Sequence, residues 1–371
     1  MDLEITPHND YLEQGKRFYE QYELIDIKFG FESNRKTLIA RNDRVCRFCG
    51  KKASARVKFR KDAHLISELV GNKQLFNDFE CDDCNLFFGK AYENDLANFL
   101  GISRSLTGLR AKEGFPKFKS ADRTVTVRAK NIQNAETVVI STADNSTEFF
   151  KIDPSTGLIS FTYRKNSYVP LNVYLIILKW AMSVLTVEEL KIYKKCLTLL
   201  KNPPDILSGC VLTGYRLPLH FALPVHYMIF KKKDPKAAIH THLIAFYFQN
   251  FIVSIPIPFG NADQEMLDRE SRITVFPPLF TQFTTNRDFK LAQFVEDFSS
   301  RELIKDEIEE VVTKANAEEL KQASSYHPEH GFLNDQKPEF STLKSLIIRR
   351  NVQPDDVVDP KTFYEEIRTL M

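Results

Sequence analysis

The sequence predicts an α+β protein. Three observations carry this reading: two Cys-x-x-Cys pairs bracketing one histidine in a short strand, turn, strand, helix unit; alternating apolar runs at 124–164 and 221–260; and helical apolar spacing across 172–200. The cysteine-bearing unit comes first, and a larger mixed sheet-and-helix region follows it.

A chain of 371 residues, 43% hydrophobic and 27% charged, has the apolar content for a substantial core and the length of two or three domains. Its most apolar helical stretch, NVYLIILKWAMSVL at Asn172–Leu185, carries Lys179 midway and is too short to cross a bilayer. The start, MDLEITPHNDYLEQ, is acidic and polar, unlike a secretory signal. The expected setting is cytoplasmic and off the membrane, so the six cysteines are read as thiols or thiolates and not as a disulfide framework.

Cys46-x-x-Cys49 and Cys81-x-x-Cys84 have knuckle spacing. Each pair turns two thiolates toward one ion, and two such pairs complete a tetrahedral sulfur site. Zn²⁺ held by four cysteines has no open position for water, so it is structural and its binding energy contributes to folding. Cys196 and Cys210 lack such spacing and are expected to be ordinary buried thiols.

If zinc only holds the segment together, chemistry must come from what lies between and beside the knuckles. Ala55, Val57 and Phe59 alternate with charged residues in a half-exposed strand pattern ending near His64. The chain turns through Gly71 to Lys73. After Cys84, Phe88, Tyr92, Leu96 and Phe99 have helical spacing with Gly101 as the stop, and Asn85, Gly89 and Glu93, four apart, share a face.

In their order, CRFCG, DAHLISELVGN and ECDDCN resemble the HNH endonucleases of the ββα-metal fold, in the variant whose motif is bracketed by two CxxC knuckles. The resemblance covers about Arg44 to Leu100. It implies a metal-dependent phosphodiester hydrolase, with His64 as the general base that activates water. It also implies a structural loop asparagine, for which Asn72 and Asn77 compete, and a metal-binding residue on the helix, matched by Asn85. Relatives often carry a metal-binding carboxylate directly before the histidine. Ala63 stands there in this chain, so Asp62, Glu68 or Glu93 must replace it around a catalytic Mg²⁺ or Mn²⁺.

Net charge is only +2, but bases crowd the stretch from Lys28 to Lys61: Arg35, Lys36, Arg41, Arg44, Arg47, Lys51, Lys52, Arg56, Lys58 and Arg60 lie between them, against Glu32 and Asp43. A second basic stretch spans Arg104 to Arg123, whereas Val295 to Val312 tips acidic. Such patches are ordinarily solvated faces, but here the first runs into the knuckles and reads as a footprint for nucleic acid, double-stranded DNA being the expected form.

The resulting plan is a nuclease unit with basic flanks at 1–120, a small antiparallel sheet plus a helical pair at 121–203, and a sheet-rich sensing or docking region at 204–371. That last region would bind a regulatory protein or a second copy of the chain. By analogy the architecture suggests a regulated effector of bacterial defence against phage. The alternative is a non-catalytic, zinc-stabilised nucleic-acid-binding protein or an assembly subunit.

Helices are expected over Asn172–Leu185, Val187–Leu200 and Arg301–Gln322, with strands in Phe221–Gly260. His240 and His242 are expected on a polar sheet face and Tyr326–Phe332 in a loop. Phe115 and Phe118, interleaved with Lys117 and Lys119, suit base stacking or a core contact equally.

Overall fold

The chain is a mixed α+β structure with several antiparallel sheets. The computed structural model describes residues 11–30, 43–107, 116–132, 135–144, 149–204, 207, 209–217, 223–258, 277, 292–314, 325–327, 331–333 and 345–349. Arg35, Lys36, Arg41 and Phe115 lie outside the described residues.

Helix α1 (Tyr11–Gln21) runs directly into β1 (Tyr22–Phe29). In the cysteine region β2 (Ala63–His64) and β3 (Phe76–Asn77) form an antiparallel pair, Ala63 opposite Asn77 and His64 opposite Phe76. The strand expected from Ala55 onward is thus only two residues long. The preceding segment instead forms turns held by the Ser54 side chain, which accepts from the Val57 amide at 3.1 Å.

One helical rod follows: α2 (Asp82–Phe88), a π turn (Gly89–Glu93) and α3 (Asn94–Leu100); α4 (Ser103–Leu106) comes after a break. At that break Gly101 has φ +54°, and a Cβ there would strike the Tyr163 hydroxyl, so the bend requires glycine.

Strands β4 (Lys117–Lys119), β5 (Val125–Ile132), β6 (Ala135–Thr142), β7 (Lys151–Asp153) and β8 (Leu158–Arg164) divide between two sheets, not the single one expected. With β14 (Ile308–Lys314) and β17 (Ser345–Arg349) the orders are β17-β6-β5-β4 and β14-β8-β7. Val125, Val127, Val138 and Ile140 of one sheet share a core with Phe161, Tyr163 and Val311 of the other. Phe118 is buried in this core between exposed Lys117 and Lys119, which settles it as a core contact.

Helix α5 (Pro170–Val184) starts on a proline and is buried at every residue except Asn172. The single helix expected after it is split into α6 (Val187–Leu190), a 3-10 turn and α7 (Lys194–Lys201). A six-stranded antiparallel sheet has the order β1-β10-β11-β12-β9-β13, with β9 at Val211–Arg216, β10 at Leu223–Lys232, β11 at His242–Gln249, β12 at Phe251–Pro256 and β13 at Ala292–Asp297. One face receives α5, where Trp180 meets Phe246 and Phe248 edge-on; the other receives Phe18 of α1.

The cysteine unit locks onto α5 at both ends. Asp95 of α3 accepts from the Val169 amide and the Asn172 side chain at 2.9 and 2.8 Å. At the other end Arg47, inside the first knuckle, donates to the carbonyls of Met182, Ser183 and Leu185 at 2.8 to 2.9 Å. An acid at the N-terminus and a base at the C-terminus complement the helix dipole and satisfy its orphan groups.

Three local expectations are corrected. Ile308–Lys314 is a strand, and no helix forms over 301–307; residues 315–322 lie outside the described residues. The spacing of Ile308, Val311 and Val312 fits a helix, but pairing with β8 buries Val311 and lets Glu309 take a hydrogen bond from Tyr163 at 2.5 Å. Tyr326–Phe332 contains a hairpin, β15 (Ser325–His327) with β16 (Gly331–Leu333), and 328–330 lie outside the described residues. His242 is fully buried, with Nδ1 2.8 Å from the Tyr193 hydroxyl and Nε2 2.8 Å from Glu189, so it faces no polar surface.

Candidate metal centre and the His64 hairpin

Gly50, at φ +68°, turns the chain after Cys49 so that its amide bonds the Cys46 carbonyl at 2.8 Å. The second pair opens α2: Cys81 is the N-cap, and Asp82 accepts from the Arg60 and Lys61 amides at 2.8 and 3.0 Å, fastening the incoming chain to the helix start. All four sulfurs gather within 4.8 Å of one another. Cys46 Sγ lies 3.7 Å from Cys84 Sγ, and Cys49 Sγ 3.8 Å from Cys81 Sγ. Sulfurs held tetrahedrally at about 2.3 Å from one zinc stand about 3.8 Å apart, so the four cysteines are consistent with a structural zinc site.

Thiols this close conflict with one another. The hydrogen bond from Cys84 holds Cys46 down to about 4, the same contact pushes Cys84 far up, and burial raises Cys81 to about 11. A dication removes the conflict by deprotonating all four. Lys201 of α7 stands beside the cluster, its ammonium 4.8 Å from the Phe87 ring centre. Burial alone would lower its pKa, but the hydrogen bond and charge of Cys84 prevail and raise it.

His64, half-buried on β2, lies 4.6 Å from the Phe76 ring. Its carbonyl accepts from Lys179 Nζ at 3.0 Å and from Asn77 Nδ2 at 3.4 Å. Burial lowers the imidazole pKa below its ordinary value; Glu68 opposes this most, then Glu93 and Asp62, while Lys179 adds to it. A neutral ring near physiological pH with carboxylates around it suits proton abstraction from water.

Of those carboxylates, Asp62 is exposed, and Glu68 and Glu93 are half-buried. Glu68 follows Ser67, whose hydroxyl donates to Glu93 Oε1 at 2.5 Å and also accepts from the Leu69 amide. The π turn matters here. It takes up one extra residue, so Asn85 and Glu93, eight apart in sequence, sit as residues seven apart do in a plain α-helix, about two full turns. The Glu93 carboxylate folds back toward the helix start, with Oε2 3.7 Å from where a Gly89 Cβ would stand.

Arg104 of α4, absent from the site expected on sequence, faces Glu93: burial lowers its pKa and Glu93 opposes that. Its Nε is buried without a hydrogen-bond partner among the described residues.

The three asparagines separate cleanly. Asn72 is fully buried: its Nδ2 donates to the Ile66 and Leu75 carbonyls, and its Oδ1 accepts from the Gln74 and Leu75 amides, so it staples the loop between β2 and β3. Asn77 sits on β3 beneath His64 and donates to Glu80 Oε2 at 3.0 Å. Asn85 is half-exposed on α2, one residue after Cys84. Among the described residues the four cysteines are the only group of three or more His, Cys, Asp or Glu side chains gathered closely enough to hold a metal ion; His64 and the carboxylates around it form no such group.

The basic stretch divides by role. Arg44 is buried and donates to the Phe59 carbonyl, Arg47 caps α5, and Lys28 pairs with Asp26 at 3.4 Å. Lys51, Lys52, Arg56, Arg60 and Lys61 are exposed beside the knuckles, with Lys73 and Lys90 exposed on the loop and helix. The sequence points to no place beside the site for Glu80, Lys179 or Arg104, and reads Arg47 only as one base of a footprint for nucleic acid. A lysine in the middle of an otherwise apolar helix was the one available signal, because a buried ammonium needs an acidic partner.

No helix among the described residues is long and apolar enough to cross a membrane. No protein-family model, no curated protein and no solved structure matches the chain.

Proposed function

We propose that the chain is an HNH-type endonuclease that hydrolyses phosphodiester bonds of DNA with the help of a divalent cation. The reading is supported above all by one juxtaposition: a half-buried imidazole on a two-stranded hairpin, facing carboxylates of the loop and the following helix, in a unit closed by four clustered cysteines. His64 takes a proton from water, the resulting hydroxide attacks phosphorus, and the bond to the 3′ oxygen breaks as that oxygen is protonated from solvent. The oxygen donors of Glu93, Glu68, Asn85 and Asp62 suit Mg²⁺ or Mn²⁺, which is typically held by one or two carboxylates plus water and substrate phosphate. Such an ion, when bound, supplies charge neutralisation at the scissile phosphate and the leaving oxygen.

Zinc is assigned a structural role at Cys46, Cys49, Cys81 and Cys84. Exposed Lys51, Lys52, Arg56, Arg60 and Lys61 supply sequence-independent phosphate contacts. Arg104, near Glu93 and with a buried Nε that has no partner among the described residues, is assigned a contact with the same phosphate as the metal.

Supercoiled plasmid incubated with purified protein and Mg²⁺ or Mn²⁺ should be nicked or linearised. EDTA and His64→Ala should each abolish this, while His64→Ala still binds DNA. Equal cleavage by wild-type and His64→Ala after repurification would remove His64 from the mechanism. A protein that binds DNA without cutting under any of these metals would instead be the non-catalytic zinc-stabilised binder.

A further inference from the structure

Lys179 and Glu80 form an ion pair in the interior, Nζ to Oε2 2.9 Å, with side chains 5% and 0% exposed. Such a pair is weak evidence for stability, because removing two charges from water costs as much as their attraction returns, and well-packed apolar residues often do better. What distinguishes this pair is what else it holds. The same Nζ donates to the His64 carbonyl at 3.0 Å, and Asn77 bridges from Glu80 Oε2 at 3.0 Å to that carbonyl at 3.4 Å.

The pair also joins separate elements. Lys179 belongs to α5, Glu80 lies between β3 and the second knuckle, and His64 is on β2. Since α5 is fixed at its two ends by Asp95 and Arg47, the lysine is presented from a rigid support. A two-residue strand has almost no ladder of its own to fix its position. Its pairing with β3 alone leaves the His64 carbonyl side to be set by the ammonium and the Asn77 amide.

We propose that Lys179 is a positioning residue: anchored by Glu80, it fixes the His64 backbone so that the imidazole is held at the reacting centre. The role in catalysis rests on the nuclease reading; the hold on His64 does not. It also gives the six-stranded sheet a route to the site, since Trp180, next to Lys179, packs on Phe246 and Phe248 of that sheet.

The test uses the full-length zinc-loaded protein. Lys179→Met alone strands the Glu80 carboxylate and is expected to unfold the unit, so the informative variant is the double replacement Lys179→Met with Glu80→Gln. It is neutral, keeps the acceptor for Asn77, and loses the bond to the His64 carbonyl together with the ammonium charge near the imidazole, so both proteins are compared at a pH where His64 is neutral. Two readouts are taken: histidine-selective NMR, with His64 assigned by its loss in His64→Gln, and steady-state plasmid cleavage.

If Lys179 positions His64, the double variant keeps wild-type zinc content and melting behaviour, its His64 carbonyl and ring signals shift or broaden, and kcat falls about 10- to 100-fold with KM little changed. If the pair is merely structural, the His64 ring signals of the folded double variant, recorded where the imidazole is neutral in both proteins, superimpose on wild type and kcat at that pH is unchanged, which overturns the proposal. A wild-type chain that cuts nothing would defeat the nuclease reading, while the His64 signals would still decide whether Lys179 holds the residue. A double variant that fails to fold would show the pair to be required for folding itself and would also count against a positioning role.

Discussion

The sulfurs of Cys46 and Cys84 stand 3.7 Å apart although 38 positions separate them in the chain. Nothing covalent holds them there, and each belongs to a different knuckle, so the approach is made by the fold, in a geometry consistent with one structural zinc. Replacing any of Cys46, Cys49, Cys81 or Cys84 with Ser should drop zinc from one ion per chain toward none and destabilise the unit by several kcal/mol, because an incomplete thiolate set forfeits the folding free energy that zinc supplies. Elemental analysis of the purified protein with thermal unfolding measures both. Wild-type protein purified without zinc would end this assignment.

Arg47 and Arg60 lie in one basic stretch but should behave oppositely. Arg47→Met removes the donor to three α5 carbonyls, so it should cost about 1–3 kcal/mol in urea unfolding while leaving the salt dependence of DNA binding unchanged. Arg60 is exposed, and Arg60→Glu should alter stability by less than about 0.5 kcal/mol but weaken DNA binding and flatten its dependence on salt. If Arg47→Met lowers affinity and salt slope as Arg60→Glu does, at unchanged stability, then Arg47 is a phosphate contact and not a cap.

What was legible in the sequence follows from which forces act locally. Knuckle spacing, the helix after Cys84 and the strands around Phe246 depend on turn residues and period, and the chain shows them directly. The strand near Phe59 failed because alternation alone does not make a strand: no strand among the described residues pairs with that segment, which curls around Ser54 and is tied to Asp82. The helix expected over Arg301–Gln322 gives way to a strand at Ile308–Lys314 for the converse reason, since β8 supplies the partner that its local pattern does not announce. The supports of His64 were hidden because Lys179 lies 115 positions away in sequence. Arg104 was read only as one base of a stretch, and its approach to Glu93 depends on the Gly101 bend, which no periodicity encodes.

Cleavage should persist into mild acid. Burial and the Lys179 charge lower the His64 pKa, and a general base works in its neutral form, so the acid limb of kcat/KM should fall below the ordinary histidine value of 6.5. Glu68 raises that pKa, so Glu68→Gln should move the limb further toward acid, opposite to the loss expected if Glu68 were only a metal ligand. A limb that stays put in Glu68→Gln would mean that another group titrates.

The missing carboxylate before His64 gives the last prediction. Ala63 is buried opposite Asn77 and, as alanine, offers no ligand atom. Asp62 is the sequence neighbour, but it is exposed and acts on His64 less than Glu68 or Glu93 does. Glu93 is held by the Ser67 hydroxyl, folds back over Gly89 toward Asn85, and shares a face with it because of the π turn. Glu93→Gln should therefore raise the Mg²⁺ needed for half-maximal cleavage by about tenfold or more, with zinc content and DNA affinity in EDTA unchanged, because only the charge at the catalytic ion is lost. Asp62→Asn should shift it by less than about threefold. A metal titration in which Asp62→Asn shows the larger shift would place the ion on the strand side of His64 and not on the helix.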